Sequence, residues 1–417
     1  MTKGLVVPAH LVRTESNPRL CFVTVLILVI ATVSWRRGVY YSGGLDSVVA
    51  GKALLSVIAL TMAGFAHQGS RSRIRIRGRT LVFLVSYLMV SVFGAYAEGQ
   101  LLPSAVLAVR VLIVALALYY LVRVFPRDLV FRSLIGSFLI VAIPSSITGL
   151  PMLGANGRLF GGIPPLHANE IATLFSVPLI GLTWLALRGA IRWWHTVLLV
   201  VSVGMIWLTG SRTALAAVVV ALLVMLLQAR DLTRPVAAVV AAAIPVGFYL
   251  MFASELLDRF FLRGGTEQLT TLSSRTIAWS AAWQYPDTFW SRWVGAGLAQ
   301  KLIPVRDQWW DVQLLDSTWV SALIQAGLLG LLILGMWLAM VAASSLRARP
   351  PTRALLTALL VFLVIRSVLE SGLFDSTPAF LTFMLMSLTG DNGVEADSRI
   401  PSRVNWIGIR RRELLIE

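Results

Sequence analysis

The chain has one cysteine in 417 residues, four histidines, and charged residues at only 13%. A lone thiol, Cys21, cannot close an intrachain disulfide, so a disulfide scaffold is excluded. With 57% apolar residues, the chain cannot be a disordered one. Nor can it be an ordinary soluble domain. A single core stops growing at about 250–300 residues, and this much apolar surface exceeds what such a core hides. No GxGxxG, phosphate-binding loop or HExxH pattern occurs, and nothing has the spacing of a zinc site. The usual signatures of dinucleotide, nucleotide and zinc chemistry are therefore missing. No cofactor and no metal are expected. No internal repeat is evident.

What is present is hydrocarbon. A spanning helix needs about 20 mostly apolar residues. Twelve stretches qualify: 20–36, 45–66, 80–97, 104–122, 131–150, 168–187, 193–209, 213–228, 235–253, 318–343, 354–371 and 377–390. The eighth and twelfth are short, and short spans tilt, break or thin the bilayer. The expected fold class is all-α: a polytopic transmembrane helical bundle of about twelve spans, forming one integral membrane domain over 1–417. A long polar connection, 254–315, is rich in Trp and Arg and reads as an inserted extracytoplasmic loop holding short helices. A tail, 391–417, follows the last span. The first apolar run is followed at once by others, so it reads as a retained span rather than a cleaved signal.

Acidic residues are few, 20 against 36 Lys and Arg, which leaves a net charge of +16. The placement of the basic residues tells against nucleic acid. Lys3, Arg13 and Arg19, the run at 71–79, then Arg123, Arg127 and Arg132, Arg188 and Arg192, Arg230 and Arg234, Arg347, Arg349 and Arg353, and the tail arginines all fall on one side of a twelve-span protein. Basic loops mark the cytoplasmic side. Both termini are then cytoplasmic and the long loop is outside. The chain is expected in a membrane, with anionic lipid as a secondary contact for its basic loops.

The informative charges break that pattern. Arg158, Arg212, Arg259, Arg263, Arg275, Arg292, Lys301 and Arg306 fall on the outer side, and Arg110, Arg366 and Glu370 lie in the outer parts of predicted spans. Ionisable groups in a membrane are costly and face a cavity or a partner. Snorkelling, or an i, i+4 pair between Arg366 and Glu370, is the ordinary explanation for each alone. Together they describe an anion-receptive cavity near the outer leaflet. Guanidinium groups suit phosphate because their planar fork donates two parallel hydrogen bonds. A lipid diphosphate is the fitting ligand at that depth.

His167 is the one histidine on the outer side, and its titration range suits a general base. The alternative is a helix cap, and the same choice applies to Asn169 and Glu170 just after it. Arg158 is either a further phosphate contact or a loop charge. The loop tryptophans, Trp279, Trp283, Trp290, Trp293, Trp309 and Trp310, read as interface anchors or as sugar-stacking faces.

Four stretches carry a resemblance: GRLFGGIPPLHANEIA (157–172), TGSRTALAAVVVALLVML (209–226), SSRTIAWSAAW (273–283) with VGAGLAQ (294–300), and DSTWVSALIQAGLLGLL (316–332). Their order around one large loop resembles the O-antigen ligase-like family of bacterial membrane proteins, which includes O-antigen ligases and Wzy-type polysaccharide polymerases. The resemblance covers roughly residues 150–390.

That resemblance implies a GT-C-like glycosyltransferase architecture and glycan transfer outside the cytoplasm, from a polyprenyl-diphosphate donor to a sugar hydroxyl. It implies inversion at the anomeric centre without a metal. Arg212 and Arg275 match the arginines expected to grip the diphosphate. Ligases carry a His-Asn pair where this chain has Asp316 and Ser317, and polymerase-like relatives vary more there. Asp316 becomes the motif's candidate base, with helix N-capping as its alternative. Other polysaccharide-assembly proteins of the envelope are possible partners. A flippase of lipid-linked glycans and a non-catalytic assembly partner are the rival functions.

Overall fold

In a computed structural model the chain is a bundle of apolar helices. Residues 17–37, 41, 44, 46–70, 74, 76–228, 275–305 and 311–391 are described. The helices are α1 (Pro18–Thr32), α2 (Ser47–Gly69), α3 (Arg79–Ala97), α4 (Leu101–Val124), α5 (Arg127–Gly149), the one-turn α6 (Leu153–Asn156), α7 (Ala168–Leu187), α8 (Trp193–Thr209) and α9 (Arg212–Gln228). After a gap come α10 (Arg275–Gln284) and α11 (Phe289–Val294), a hairpin of β1 (Leu302–Pro304) and β2 (Val312–Leu314), then α12 (Thr318–Arg347), α13 (Pro350–Leu369) and α14 (Pro378–Gly390).

Eleven of the twelve expected spans are helices at their expected places, and the ninth, 235–253, lies outside the described residues. Among the described residues seven helices are long and apolar enough to cross a membrane, and α1, α8, α9 and α14 are shorter apolar ones. Phe65, Met89, Val200 and Leu227 stand well exposed on the helix faces, as side chains that meet lipid should. The long connection is not purely helical: its described part adds the antiparallel hairpin, with Ile303 opposite Gln313. Two strands of three residues leave no period-2 pattern long enough to read. Most of the tail 391–417 lies outside the described residues.

The helix starts follow local chemistry. Asn17 caps α1 by accepting from Arg19 N at 3.0 Å, with Pro18 at the first helical position. Asp46 caps α2, accepting from Val48 N at 2.8 Å. Thr377 caps α14 by accepting from Phe380 N at 3.2 Å, again ahead of a proline.

The shortest of the apolar helices is the innermost. In α14 every residue from Pro378 to Thr389 is buried, with α4, α7 and α12 packed around it. A helix apolar all round belongs in a core. Its 13 residues span about 20 Å, against about 30 Å of bilayer hydrocarbon. Polar side chains gather at its N-terminal end.

A second feature fixes that end. Helix α12 is broken at Gly327, whose backbone takes φ 63°, ψ −163°. The break frees the carbonyls of Ile324 and Gln325. They accept from Ala296 N (2.7 Å) and Gly297 N (3.0 Å) of the loop segment after α11, and Ser91 Oγ on α3 also donates to Gln325 O at 2.8 Å. Non-helical backbone at such depth persists only when its polar groups are re-satisfied in this way. Only glycine allows the approach: a Cβ on Gly327 would fall 2.3 Å from the Trp293 carbonyl carbon, and one on Gly94 2.4 Å from the Gly295 oxygen.

Candidate active site

Above the N-terminus of α14 lies a cavity of about 650 Å³. It is walled by the end of α1, the starts of α2, α4, α7 and α12, the end of α13, and by Arg158, His167, Lys301 and Leu314–Asp316 from the loops. Seven basic side chains line it: Arg36, Arg37, Lys52, Arg110, Arg158, Lys301 and Arg366. Five acidic ones join them: Asp46, Glu170, Asp316, Glu370 and Asp375. The balance is cationic. The N-termini of α2, α7, α12 and α14 also open onto it, and helix N-termini carry the positive end of the backbone dipole. All this lies at one end of the bundle. Arg123, Arg127, Arg188, Arg192, Arg347 and Arg349 mark the helix termini at the other.

A relay of hydrogen bonds organises one wall. Arg158 donates from Nε to the Thr209 carbonyl at 3.1 Å and from Nη2 to Asn169 Oδ1 at 3.0 Å. Asn169 in turn donates through Nδ2 to Glu370 Oε1. The Glu370 carbonyl accepts from Thr318 Oγ1 at 2.8 Å. Four helix ends, those of α8, α7, α13 and α12, are joined by this sequence. Arg366, buried, donates to Thr173 Oγ1 at 2.7 Å and to the Ser371 carbonyl at 3.4 Å. Glu170 accepts from Ser34 N at 2.8 Å. Arg110 holds the end of α1 by donating to the Ala31 carbonyl at 2.9 Å. Arg37 donates to the carbonyls of Gly161 and Pro165.

The structure thus brings Arg158, His167, Asn169, Glu170, Asp316, Arg366 and Glu370 to one cavity. His167 is the N-cap of α7, its Nδ1 accepting from Asn169 N at 3.3 Å. Burial, with Arg158 and then Arg37 nearby, lowers its pKa to about 4. The imidazole is therefore neutral near pH 7 and a weak base. Asp316 is not the N-cap of α12; Ser317 takes that position, and Asp316 sits one residue before it on the cavity wall.

Arg212 opens α9 three residues after Thr209 but is not among the cavity-lining residues. Arg158 bridges the two places through the Thr209 carbonyl. Arg275 begins α10, and its side chain lies outside the described residues. Arg259, Arg263, Arg306, Trp309 and Trp310 also lie outside them. Trp283 and Trp290 are exposed, and Trp290 meets Phe93 of α3 edge to face at 5.9 Å between centroids.

Sequence reasoning misses Arg36, Arg37, Lys52, Asp46 and Asp375. The rule that flags Arg110 also covers the first three, because they stand at the outer ends of the first two spans. Snorkelling is the ordinary explanation at such positions, so they draw no notice. Nothing in the sequence pairs Asp375 with Lys301, although the two lie 2.5 Å apart. Burial alone would raise the Asp375 carboxyl, but Lys301, then Arg110 and the Ser376 N–H, outweigh it and hold the pKa below its ordinary value.

These features define a multi-pass helical membrane protein with a polar, cationic cavity at one end. Residues 197–335 match the family model described as O-antigen ligase. Over those residues the chain is similar to the O-antigen ligase family. The match runs from α8 through the loop to α12, so it takes in Arg212, Lys301, Asp316 and the glycine break. No curated protein matches the chain.

Proposed function

We propose that the chain transfers a glycan from a polyprenyl-diphosphate donor to a sugar hydroxyl on the outer face of a bacterial inner membrane, as a polysaccharide polymerase or O-antigen ligase-like enzyme. The orientation follows the basic loops: both termini cytoplasmic, about twelve spans, the cavity outward. One observation carries the reading: the cationic cavity is built in part by the same segments that match the O-antigen ligase model.

In the proposed step the acceptor hydroxyl oxygen attacks the anomeric carbon. A new glycosidic bond forms as the bond from that carbon to the diphosphate oxygen breaks, with inversion. The hydroxyl proton passes to a carboxylate, for which Asp316 is the choice. The diphosphate leaves on its lipid, its charge held by arginines. Arg158 lines the cavity, and Arg212 and Arg275 are added by the resemblance. Asn169 and Glu370 orient Arg158, Glu170 holds the end of α1, and Arg366 shapes the floor. No residue here needs a metal to play its part.

Against a flippase, the charged groups collect at one end rather than through the membrane depth; the inner helix α14 carries no charged residue below Thr377. The test is purified protein given a polyprenyl-diphosphate-linked oligosaccharide and acceptor. Release of lipid diphosphate with a longer or transferred glycan is expected, and Arg158→Gln should lower turnover on the order of a hundredfold. Donor binding without turnover would support a non-catalytic partner instead. Full activity in folded Arg158→Gln would overturn the assigned site.

A further inference from the structure

At the end of the bundle opposite the cavity, a second hollow of about 1210 Å³ opens between α5 and α8, with α7 beneath it. Its walls are apolar: Leu139 and Ile143 from α5, Leu185 from α7, Leu198 from α8. Along α5 it extends from Arg132 to Pro144, about 18 Å at the helical rise. That is close to one leaflet of a hydrocarbon core about 30 Å thick. Its polar mouth carries Arg132 and Arg192, both exposed. No carboxylate is found among the described residues that line it.

We propose that this groove seats an anionic phospholipid of the adjoining leaflet, one acyl chain along α5 and the headgroup phosphate between Arg132 and Arg192. Length and charge both fit that occupant. An apolar face one leaflet deep needs a chain of that length. Two guanidinium groups at headgroup depth, with no acid among the described residues that line the groove, select an anion over a zwitterion. The site is separate from the polar cavity and does not depend on the transfer reaction.

The test is native mass spectrometry of the full chain, released from micelles holding equal phosphatidylglycerol and phosphatidylethanolamine. Wild type should retain phosphatidylglycerol roughly tenfold over phosphatidylethanolamine, as two basic groups near an anionic headgroup supply. The pair Arg132→Gln, Arg192→Gln should bring the two lipids to parity. Arg347→Gln with Arg349→Gln, at the same end but outside the groove, should leave the preference intact. Ile140→Trp, which fills the groove without touching charge, should expel the retained lipid. The proposal fails if wild type shows no preference, if the control pair abolishes it equally, or if folded Ile140→Trp retains lipid as wild type does.

Discussion

Asn169 hands its side-chain amide to Glu370, 201 positions further along the chain, while its carbonyl oxygen receives Arg158. One amide thus satisfies a cation on one side and an anion on the other. It also ties the loop before α7 to the end of α13. Asn169→Leu is close in size but can do neither. Arg158 and Glu370 each lose one hydrogen bond, a loss of about 1–3 kcal/mol where a buried group is left unsatisfied and less here, where Arg158 keeps the Thr209 carbonyl. A lower thermal midpoint and at least tenfold slower glycan transfer are expected. Asn169→Asp should be worse for activity than for fold, because it keeps the acceptor for Arg158 but sets a carboxylate against Glu370.

The glycine interlock makes a sharper structural prediction. Gly327 occupies a backbone region that is essentially glycine-only, and a Cβ there would lie within 2.5 Å of Trp293 and Val294 backbone atoms. Gly327→Ala should destabilise by about 3 kcal/mol or more. Gly335→Ala, eight residues on in the same helix and open on that side, should be neutral or gain up to about 1 kcal/mol from helix propensity. Thermal unfolding in detergent separates the two. Equal midpoints would remove the interlock from any role in holding the loop.

Lys301 and Asp375 form a short ion pair in the cavity, 2.5 Å between nitrogen and oxygen. Both side chains keep some access to water, so the pair lies between exposed pairs, worth a fraction of a kcal/mol, and buried ones. Lys301→Met should cost about 2 kcal/mol, and adding Asp375→Asn should recover part of it by removing the stranded charge. The sign with pH follows from the depressed carboxyl. Its contribution is present above the ordinary aspartate range and is lost as pH falls below about 4 through the folded pKa. In Lys301→Met that acid dependence should shrink. An unchanged acid limb would show that Lys301 does not hold Asp375 ionised.

Hydropathy alone locates the helices closely because lipid imposes one length and one composition on every span. It cannot tell a helix facing lipid from one facing only protein, which is why 377–390 reads as a short span although α14 is the packed centre. The site is legible where a charge breaks a topological rule, as at Arg110, Arg158 and Arg366. It is illegible where charges stand at span ends, as at Arg36 and Lys52, or where the partner is remote, as with Asp375. The motifs VGAGLAQ and IQAG are legible as motifs only. That they exist to let two backbones hydrogen-bond across a broken helix requires the fold.

The choice of base separates two neighbours of the cavity. His167 is spent on capping α7, and burial beside Arg158 and Arg37 keeps it neutral until pH falls to about 4. A histidine whose pKa is lowered on folding favours the folded state fully above its ordinary value near 6.5. That contribution declines as pH falls from about 6.5 toward 4, because the unfolded chain takes up the proton first. His167→Gln should therefore flatten the loss of stability across that window. Turnover should stay within a few-fold, since glutamine can still accept from Asn169 N. Asp316→Asn should behave in the opposite way. Turnover should fall by a factor of about 10²–10⁴, the usual worth of a positioned base. A His167→Gln enzyme as slow as Asp316→Asn would reassign the proton transfer to the imidazole, and a fully active Asp316→Asn enzyme would leave Glu170 and Glu370 as the carboxylates to test.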